Sequence, residues 1–244
     1  MACSLPSASQ MRAVRVASVL AAVFVGALCA TPWLRLSAQQ ERDPDAPPPR
    51  QIAPAMSWVY ADWLTRPERQ REEQPDRLVN SLDIQPGATV VDLGAGVGYF
   101  TWRLARKVGR AGKVIAVDIQ QEMLDMLAVN LRERGIENVE VVLATPRDPR
   151  LPPAAVDLVL LVDVYHELAH PAVTLAHIRR SLKPTGRLVV VEYRKGQPGL
   201  QIHPLHKMSI AEVRSEIEPA GFDFAEVLEF LPSQHVIIFT PADG

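Results

Sequence analysis

Apolar residues follow two alternating rhythms between positions 89 and 217, and those rhythms predict the elements. Short β-branched runs at 90–91, 114–117, 139–143, 156–164 and 188–191 have few polar interruptions. Such runs suit strands covered on both faces. Between them the apolar spacing lengthens to three and four residues, as in QEMLDMLAVNLRERG at 121–135. That is the mark of a helix with one buried face. Strands are therefore predicted at 89–94, 113–119, 139–144, 156–164 and 186–194, with helices starting at 99, 121, about 171 and about 209. The alternation predicts a parallel, doubly wound α/β sheet with helices on both faces. The end of the chain breaks the rhythm. EVLEFLP (226–232) and QHVIIFT (234–240) are strand-like runs separated only by a turn at Pro232-Ser233. No crossover fits there, so the two must pair antiparallel. The expected sheet has seven strands, mostly parallel, and closes in an antiparallel C-terminal β-hairpin.

Upstream, Trp58, Ala61, Trp63 and Leu64 have the spacing of a short helix, residues 66–74 are heavily charged, and 76–82 read as a second helix. The segment ERDPDAPPPRQIAP at 41–54 is charged and Pro-rich, a linker with no means to pack. Before it, Arg12 and Arg15 precede an uncharged apolar run over 16–34, and Ser37-Ala38 supplies small residues for a cut. This reads as a secretory signal peptide or as an uncleaved anchor, since about 20 apolar residues span a bilayer. The expected division is 1–38 signal peptide or membrane anchor, 39–54 linker, and 55–244 a single folded domain with an N-terminal helical lid. The domain is then exported (periplasmic or extracellular) or membrane-anchored, with a cytoplasmic location as the alternative. A net charge of −2 gives no reason to expect a nucleic-acid partner. Both cysteines, Cys3 and Cys29, lie in the first segment. The folded part therefore has no disulfide, thiolate metal site or cysteine nucleophile.

The sharpest chemical signal is VVDLGAGVGYF at 90–100. A strand that stops in a Gly-rich turn and opens a helix is a ligand-binding corner, because glycines let a ligand approach the backbone. Details choose the ligand. A dinucleotide fingerprint, G-x-G-x-x-G/A, wants a small residue where Tyr99 stands. Asp92 would also set a carboxylate beside a pyrophosphate drawn to the helix N-terminus. The same carboxylate suits a phosphate-free ligand bearing an ammonium group, and S-adenosylmethionine carries an ammonium and a sulfonium. The next β-run, KVIAVDIQ at 113–120, closes on Asp118. An acid about 20 residues beyond the glycines is placed to accept hydrogen bonds from both ribose hydroxyls, or to cap the following helix.

With DLGAGVGYF, VIAVDI, VDLVLLVDVYHEL (156–168) and SLKPTGRLVVVEYR (181–194), the chain resembles the class I S-adenosylmethionine-dependent methyltransferases over roughly residues 75–240. The resemblance implies a Rossmann-like sheet ending in the same hairpin. It implies that Asp92 and the loop of Gly94, Ala95, Gly96 and Gly98 hold the methionine end, that Asp118 holds the ribose, and that Ile119 packs on the adenine. Many relatives carry Gly-Asp-Ala after the third strand, where the acid reaches the adenine amino group. Here Ala144-Thr145-Pro146-Arg147-Asp148 stands instead, so that contact falls to Thr145, to Asp148 or to neither. N-terminal helices in the resembling family often lie over the cofactor. Trp58, Tyr60 and Trp63 would line that lid or simply pack. Ligands of such sheets sit outside the carboxyl ends of the strands, which adds Asp163 to Glu167 and Glu192 to Arg194 to the site.

Residues 166–170 spell H-E-L-A-H, a zinc-peptidase pattern that needs one helix through both histidines. Pro171 follows directly, and a residue before proline is pushed out of the α region. His170 is therefore expected to cap the next helix, and no metal site is assigned. Methyl transfer is an in-line displacement at a good leaving group, so positioning supplies most of the catalysis. A base is needed only for a protonated acceptor. His166 is the first candidate for base or acceptor-orienting group, since the loop after the fourth strand faces the methyl group in this fold. Glu167 and Tyr193 follow, with Tyr165 and Glu192. His203 and His206 precede the last helix, in a segment that commonly closes the acceptor pocket in the resembling family. With Glu192 some of them would form a metal site, or bind an acidic acceptor through Lys207, or they belong to a polar loop. The expected function is transfer of a methyl group from S-adenosylmethionine to a small-molecule acceptor. The aromatic lid and membrane tether point to an apolar acceptor such as a quinone or lipid precursor. The alternatives are a dinucleotide-dependent oxidoreductase, a zinc metallopeptidase, and a cofactor-binding protein without turnover.

Overall fold

The computed structural model describes residues 50–243, so the signal or anchor segment expected at 1–38, and the linker up to residue 49, lie outside the described residues. The apolar runs form β1 (Thr89–Leu93), β2 (Lys113–Asp118), β3 (Val139–Leu143), β4 (Val156–Val162) and β5 (Leu182–Arg194), all paired in parallel. A two-residue strand β6 (Lys207–Met208), then β7 (Phe222–Leu228) and β8 (Gln234–Pro241), complete the sheet. The order is β3-β2-β1-β4-β5-β8-β7, with β6 beside β5. β8 runs antiparallel to both β5 and β7. This is the expected Rossmann-like sheet with its antiparallel close, and β6 makes it eight strands rather than seven.

The helices are α1 (Arg69–Glu73), α2 (Pro75–Ser81), α3 (Thr101–Val108), α4 (Gln121–Glu133), α5 (Pro171–Ser181) and α6 (Ile210–Ile217). Alternation along the strands divides the core in two. Val91, Ile115, Val159 and Val190 meet Leu175 and Ile178 of α5 and Val213 and Ile217 of α6. Val90, Val114, Leu158 and Val189 point the other way, onto Leu78 of α2 and Leu104 and Val108 of α3. Each such side chain contributes about 1.5–3 kcal/mol when fully buried, which holds the sheet rigid beneath its loops. The chain runs outward from β1 through β2 to β3, then returns to the other side of β1 as β4. The strand order therefore reverses between β1 and β4, and a crevice lies outside the carboxyl ends of these neighbours.

Three local expectations change. β5 begins at Leu182 instead of 186, after a register shift opposite Val156 and Leu158. Lys183 reaches the Asp157 carboxylate there, at 2.7 Å. β7 ends at Leu228, so residues 229–233 form the turn into β8 and the strand lies earlier than 226–232. Arg194 holds that turn through the Glu229 carboxylate (2.6 Å) and the Pro232 carbonyl (3.0 Å), while Leu231 plugs a core from the turn itself. The last residues of the expected linker, 50–54, also pack. Arg50 donates to Glu216 (2.8 Å) and to the carbonyls of Tyr165 (2.9 Å) and His166 (2.7 Å), and Ala53 is buried. Arg50 and Ala53 thus dock residues 50–54, Ala53 also donating its amide to the His166 carbonyl at 3.2 Å.

Candidate functional site

β1 stops at Leu93 because Gly94, Gly96 and Gly98 all take positive φ, at 78°, 53° and 85°. The resulting turn is tied to β2. Gly94 and Ala95 donate to the Val117 carbonyl at 2.8 and 2.9 Å, and Gly96 donates to Asp118 Oδ2 at 2.9 Å. Asp118 Oδ1 accepts the Gln120 amide at 2.9 Å, so this acid braces both the turn that leads into α4 and the glycine loop. Asp92 lies beneath, 3% exposed, with Thr101 donating to its Oδ2 at 2.6 Å. Burial, helped by nearby Asp118, pushes the Asp92 carboxyl up to about 6 against the pull of Thr101 and Arg69.

These groups open on a cavity of 640 Å³. Asp92, Gly94, Ala95, Gly96, Asp118, Ile119, Thr145, Asp163, His166, Glu167 and Tyr193 all line it. Gly98 does not. A Cβ there would sit 3.0 Å from Leu127 Cγ, so Gly98 lets α4 close on the loop rather than admitting a ligand. Thr145, not Asp148, reaches the cavity. Of the three lid aromatics only Trp63 lines it, in a 3-10 helix (Trp58–Thr65) kinked at Tyr60. Gln120 pins the start of that lid by donating to the Met56 carbonyl (2.8 Å) and accepting from the Trp58 amide (2.9 Å).

At the other end, Tyr165–Glu167 form a 3-10 turn, and His170 precedes α5 in a non-helical conformation (φ −136°, ψ 66°). The helix that a zinc-peptidase motif requires is absent. His166 is 1% exposed, with Nδ1 2.5 Å from Glu192 Oε2 and Nε2 2.9 Å from His206 Nδ1. Burial pushes the His166 imidazole below its ordinary value and the Glu192 carboxyl above its own, disfavouring the charged form of each. Burial also raises Glu167 to about 7. Tyr165, a second-rank candidate, is a core residue whose hydroxyl donates to Glu216 at 3.1 Å, and it does not line the cavity.

The sequence reading missed a buried ion pair on α1. Arg69 donates to Glu73 Oε1 at 2.7 Å, and Tyr193 donates to the same oxygen at 3.1 Å. All three line the cavity. The available signal was the four-residue spacing of opposite charges inside a run that otherwise looked solvated. Asp163 directly follows β4 with φ 54° and accepts from Gln234 at 2.8 Å through Oδ2. Its Oδ1 and the Glu73 Oε2 are buried without a hydrogen-bond partner among the described residues. Burial first, and Glu73 and Glu192 after it, lift the Asp163 carboxyl well above its ordinary value.

Comparison with known proteins adds three likenesses and a family match. A family model described as "Methyltransferase domain" matches residues 84–227, more than half of the chain. The chain is 29% identical over 160 residues to the ubiquinone/menaquinone biosynthesis C-methyltransferase UbiE of Shewanella sp. (strain ANA-3), covering 63% of this chain and 64% of that protein. It is 34% identical over 133 residues to an uncharacterized 37.1 kDa protein in transposon TN4556 of Streptomyces fradiae, covering 54% and 38%. The chain thus spans less than two thirds of the length of these curated relatives. Among solved structures, a SAM dependent methyltransferase from Aquifex aeolicus superposes with a TM-score of 0.73 at 26% identity, covering 77% of this chain and 100% of that one.

Proposed function

This chain belongs to the class I S-adenosylmethionine-dependent methyltransferase family, and on that premise we propose that it transfers a methyl group to a small-molecule acceptor held at the histidine end of the cavity. The carrying observation is one cavity whose wall holds both Asp92 and Asp118, from β1 and β2, and His166 and Glu167, from the turn after β4. The donor set fits a cationic, phosphate-free nucleoside. Among the described residues, Asp163 Oδ1 and Glu73 Oε2 are buried without a hydrogen-bond partner, and an ammonium would supply donors to them. A pyrophosphate would meet those same carboxylates as like charge, which counts against a dinucleotide.

When bound, S-adenosylmethionine supplies an electrophilic methyl on a sulfonium. Asp92 and the 94–96 backbone would hold the amino-acid end, Asp118 the ribose, and Ile119 and Thr145 the base. Asp118→Asn keeps the volume but removes the charge, and is expected to weaken binding about 10–100-fold, the worth of a charged hydrogen bond. Saturable binding of S-adenosylmethionine, with none of NAD, tests the cofactor. A screen for S-adenosylhomocysteine release against candidate acceptors tests turnover, and binding without release from any of them would favour a non-catalytic role.

The pH dependence has a defined sign. In the empty protein Asp92 ionises near 6, while a cationic ligand requires it ionised. Affinity should therefore fall about tenfold per pH unit below 6. Stability of the empty protein moves the opposite way. Because the folded value lies above the unfolded one, the contribution is full below about 4 and is lost as pH rises through 6. Asp92→Asn should abolish both inflections in calorimetric titrations and melts.

Met56, Trp63, Leu64 and Ile202 give the cavity wall an apolar surface. Together with the quinone pathway in the name of the Shewanella relative, this supports an apolar acceptor. Export or anchoring by residues 1–38 is part of the same reading, supported by Arg12, Arg15 and the apolar run after them. N-terminal sequencing of membrane, soluble and extracellular fractions tests it.

A further inference from the structure

His166 Nε2, His206 Nδ1 and Glu167 Oε1 converge from two separate loops on one point of the cavity wall. The three atoms lie 2.9, 3.7 and 3.9 Å apart, all inside a 4.8 Å span. We propose that they form a binding site for one divalent transition-metal ion at the acceptor end of the cavity. A tetrahedral ion with bonds near 2.0–2.1 Å needs donors about 3.3 Å apart, and the observed edges bracket that value. Shifts of a few tenths of an ångström in side chains close the triangle.

Three further observations belong to a metal site. Glu192 stands behind His166, its Oε2 2.5 Å from Nδ1, in the place of the carboxylate that orients a ligating imidazole and directs the Nε2 lone pair to the ion. His166, Glu167 and His206 all line the cavity, so the remaining coordination positions face the space where an acceptor sits. Two imidazoles and one carboxylate favour Zn²⁺, Co²⁺, Fe²⁺, Mn²⁺ or Ni²⁺ over Mg²⁺ or Ca²⁺, which prefer all-oxygen sets. The H-E-x-x-H spacing plays no part. His170 is outside the group, and the third ligand comes from a residue 40 positions along the chain. His203 is also outside it, its Nδ1 accepting the Leu205 amide at 3.3 Å.

An ion here takes an oxygen of the acceptor, a phenol or an enolisable carbonyl, and holds it against the bound cofactor. That assignment of the open position rests on the methyl-transfer reading, whereas ion binding does not.

The test uses the full-length, tag-free protein, stripped with chelator and titrated with Co²⁺ and with Zn²⁺ alone. The expected result is one equivalent bound per chain, with visible Co²⁺ absorption bands. His206→Ala and Glu167→Gln should each weaken binding at least 100-fold. Glu192→Gln, which alters only the group behind His166, should weaken it about 10–100-fold. His177→Ala, on α5 away from the cavity, should change nothing. Absence of saturable binding, or wild-type affinity in His206→Ala and Glu167→Gln, overturns the site. S-adenosylmethionine titration of the same samples separates the two readings. Cofactor binding without ion binding removes only the metal site, and the reverse removes only the methyltransferase assignment.

Discussion

Gly94→Ala is expected to abolish measurable S-adenosylmethionine binding, an affinity loss of 100-fold or more, and to cost about 2–4 kcal/mol of stability. Gly94 holds φ at 78°, where a Cβ adds strain of roughly 1–2 kcal/mol. The larger penalty is steric. The new Cβ would lie 2.4 and 2.7 Å from the two γ-carbons of Val164, inside van der Waals contact. Val164 cannot simply rotate away, because it packs against the core beside β4. The glycine loop must move instead, which strains the Gly94 and Ala95 bonds to Val117 and shifts Gly96 off Asp118. Gly87→Ala is the control. Its φ is also positive, at 84°, yet nothing lies within 4 Å, so only the backbone strain of about 1 kcal/mol should appear. Adding Val164→Ala to Gly94→Ala should recover part of the loss in a double-mutant cycle. Denaturant melts and cofactor titrations read both terms, and an unimpaired Gly94→Ala protein would refute the close approach of the two loops.

His166→Asn is expected to cut methyl transfer by about 10²–10⁴-fold, while S-adenosylmethionine affinity stays within about threefold. The asymmetry follows from its partners. His166 bonds Glu192 and His206, and no hydrogen bond joins it to Asp92, Asp118 or the glycine loop. Asparagine can still donate to Glu192 in place of Nδ1, so the buried carboxyl keeps a partner and the fold is spared. What disappears is Nε2, the atom that faces the cavity and His206. Single-turnover measurement with a productive acceptor checks the chemical step, and a parallel binding titration checks the cofactor. Unchanged turnover would remove His166 from the chemistry. Loss of cofactor binding along with turnover would make it a structural residue.

Much of this architecture was legible because its signals are local. A strand buried on both faces must be apolar at successive positions, so residues 114–117 and 158–162 could hardly be anything else. A proline after His170 forbids a helix through the H-E-L-A-H run on steric grounds alone, and His170 does stand outside α5. Boundaries failed where tertiary contacts outvote local pattern. Phe230 and Leu231 look like strand residues, yet Arg194 clamps Glu229 and Pro232 into a turn and Leu231 is buried from there. The charged stretch at 66–74 looked solvated because no local rule separates a surface arginine from one whose partner, tyrosine neighbour and cavity lie on other elements.

By itself the amino-acid order determined the doubly wound sheet, the glycine turn, and the two acids that close β1 and β2. Each depends on backbone preferences and burial over fewer than a dozen neighbouring residues. Only the tertiary structure decided which groups meet. It placed Gly98 against Leu127 instead of the cavity, seated Arg50 over the Tyr165 and His166 carbonyls, and brought His206 to His166 with Glu192 behind. Meetings of that kind are set by the paths of loops across the sheet's edge. Those paths follow from the packing of whole elements, a quantity that no short window of sequence contains.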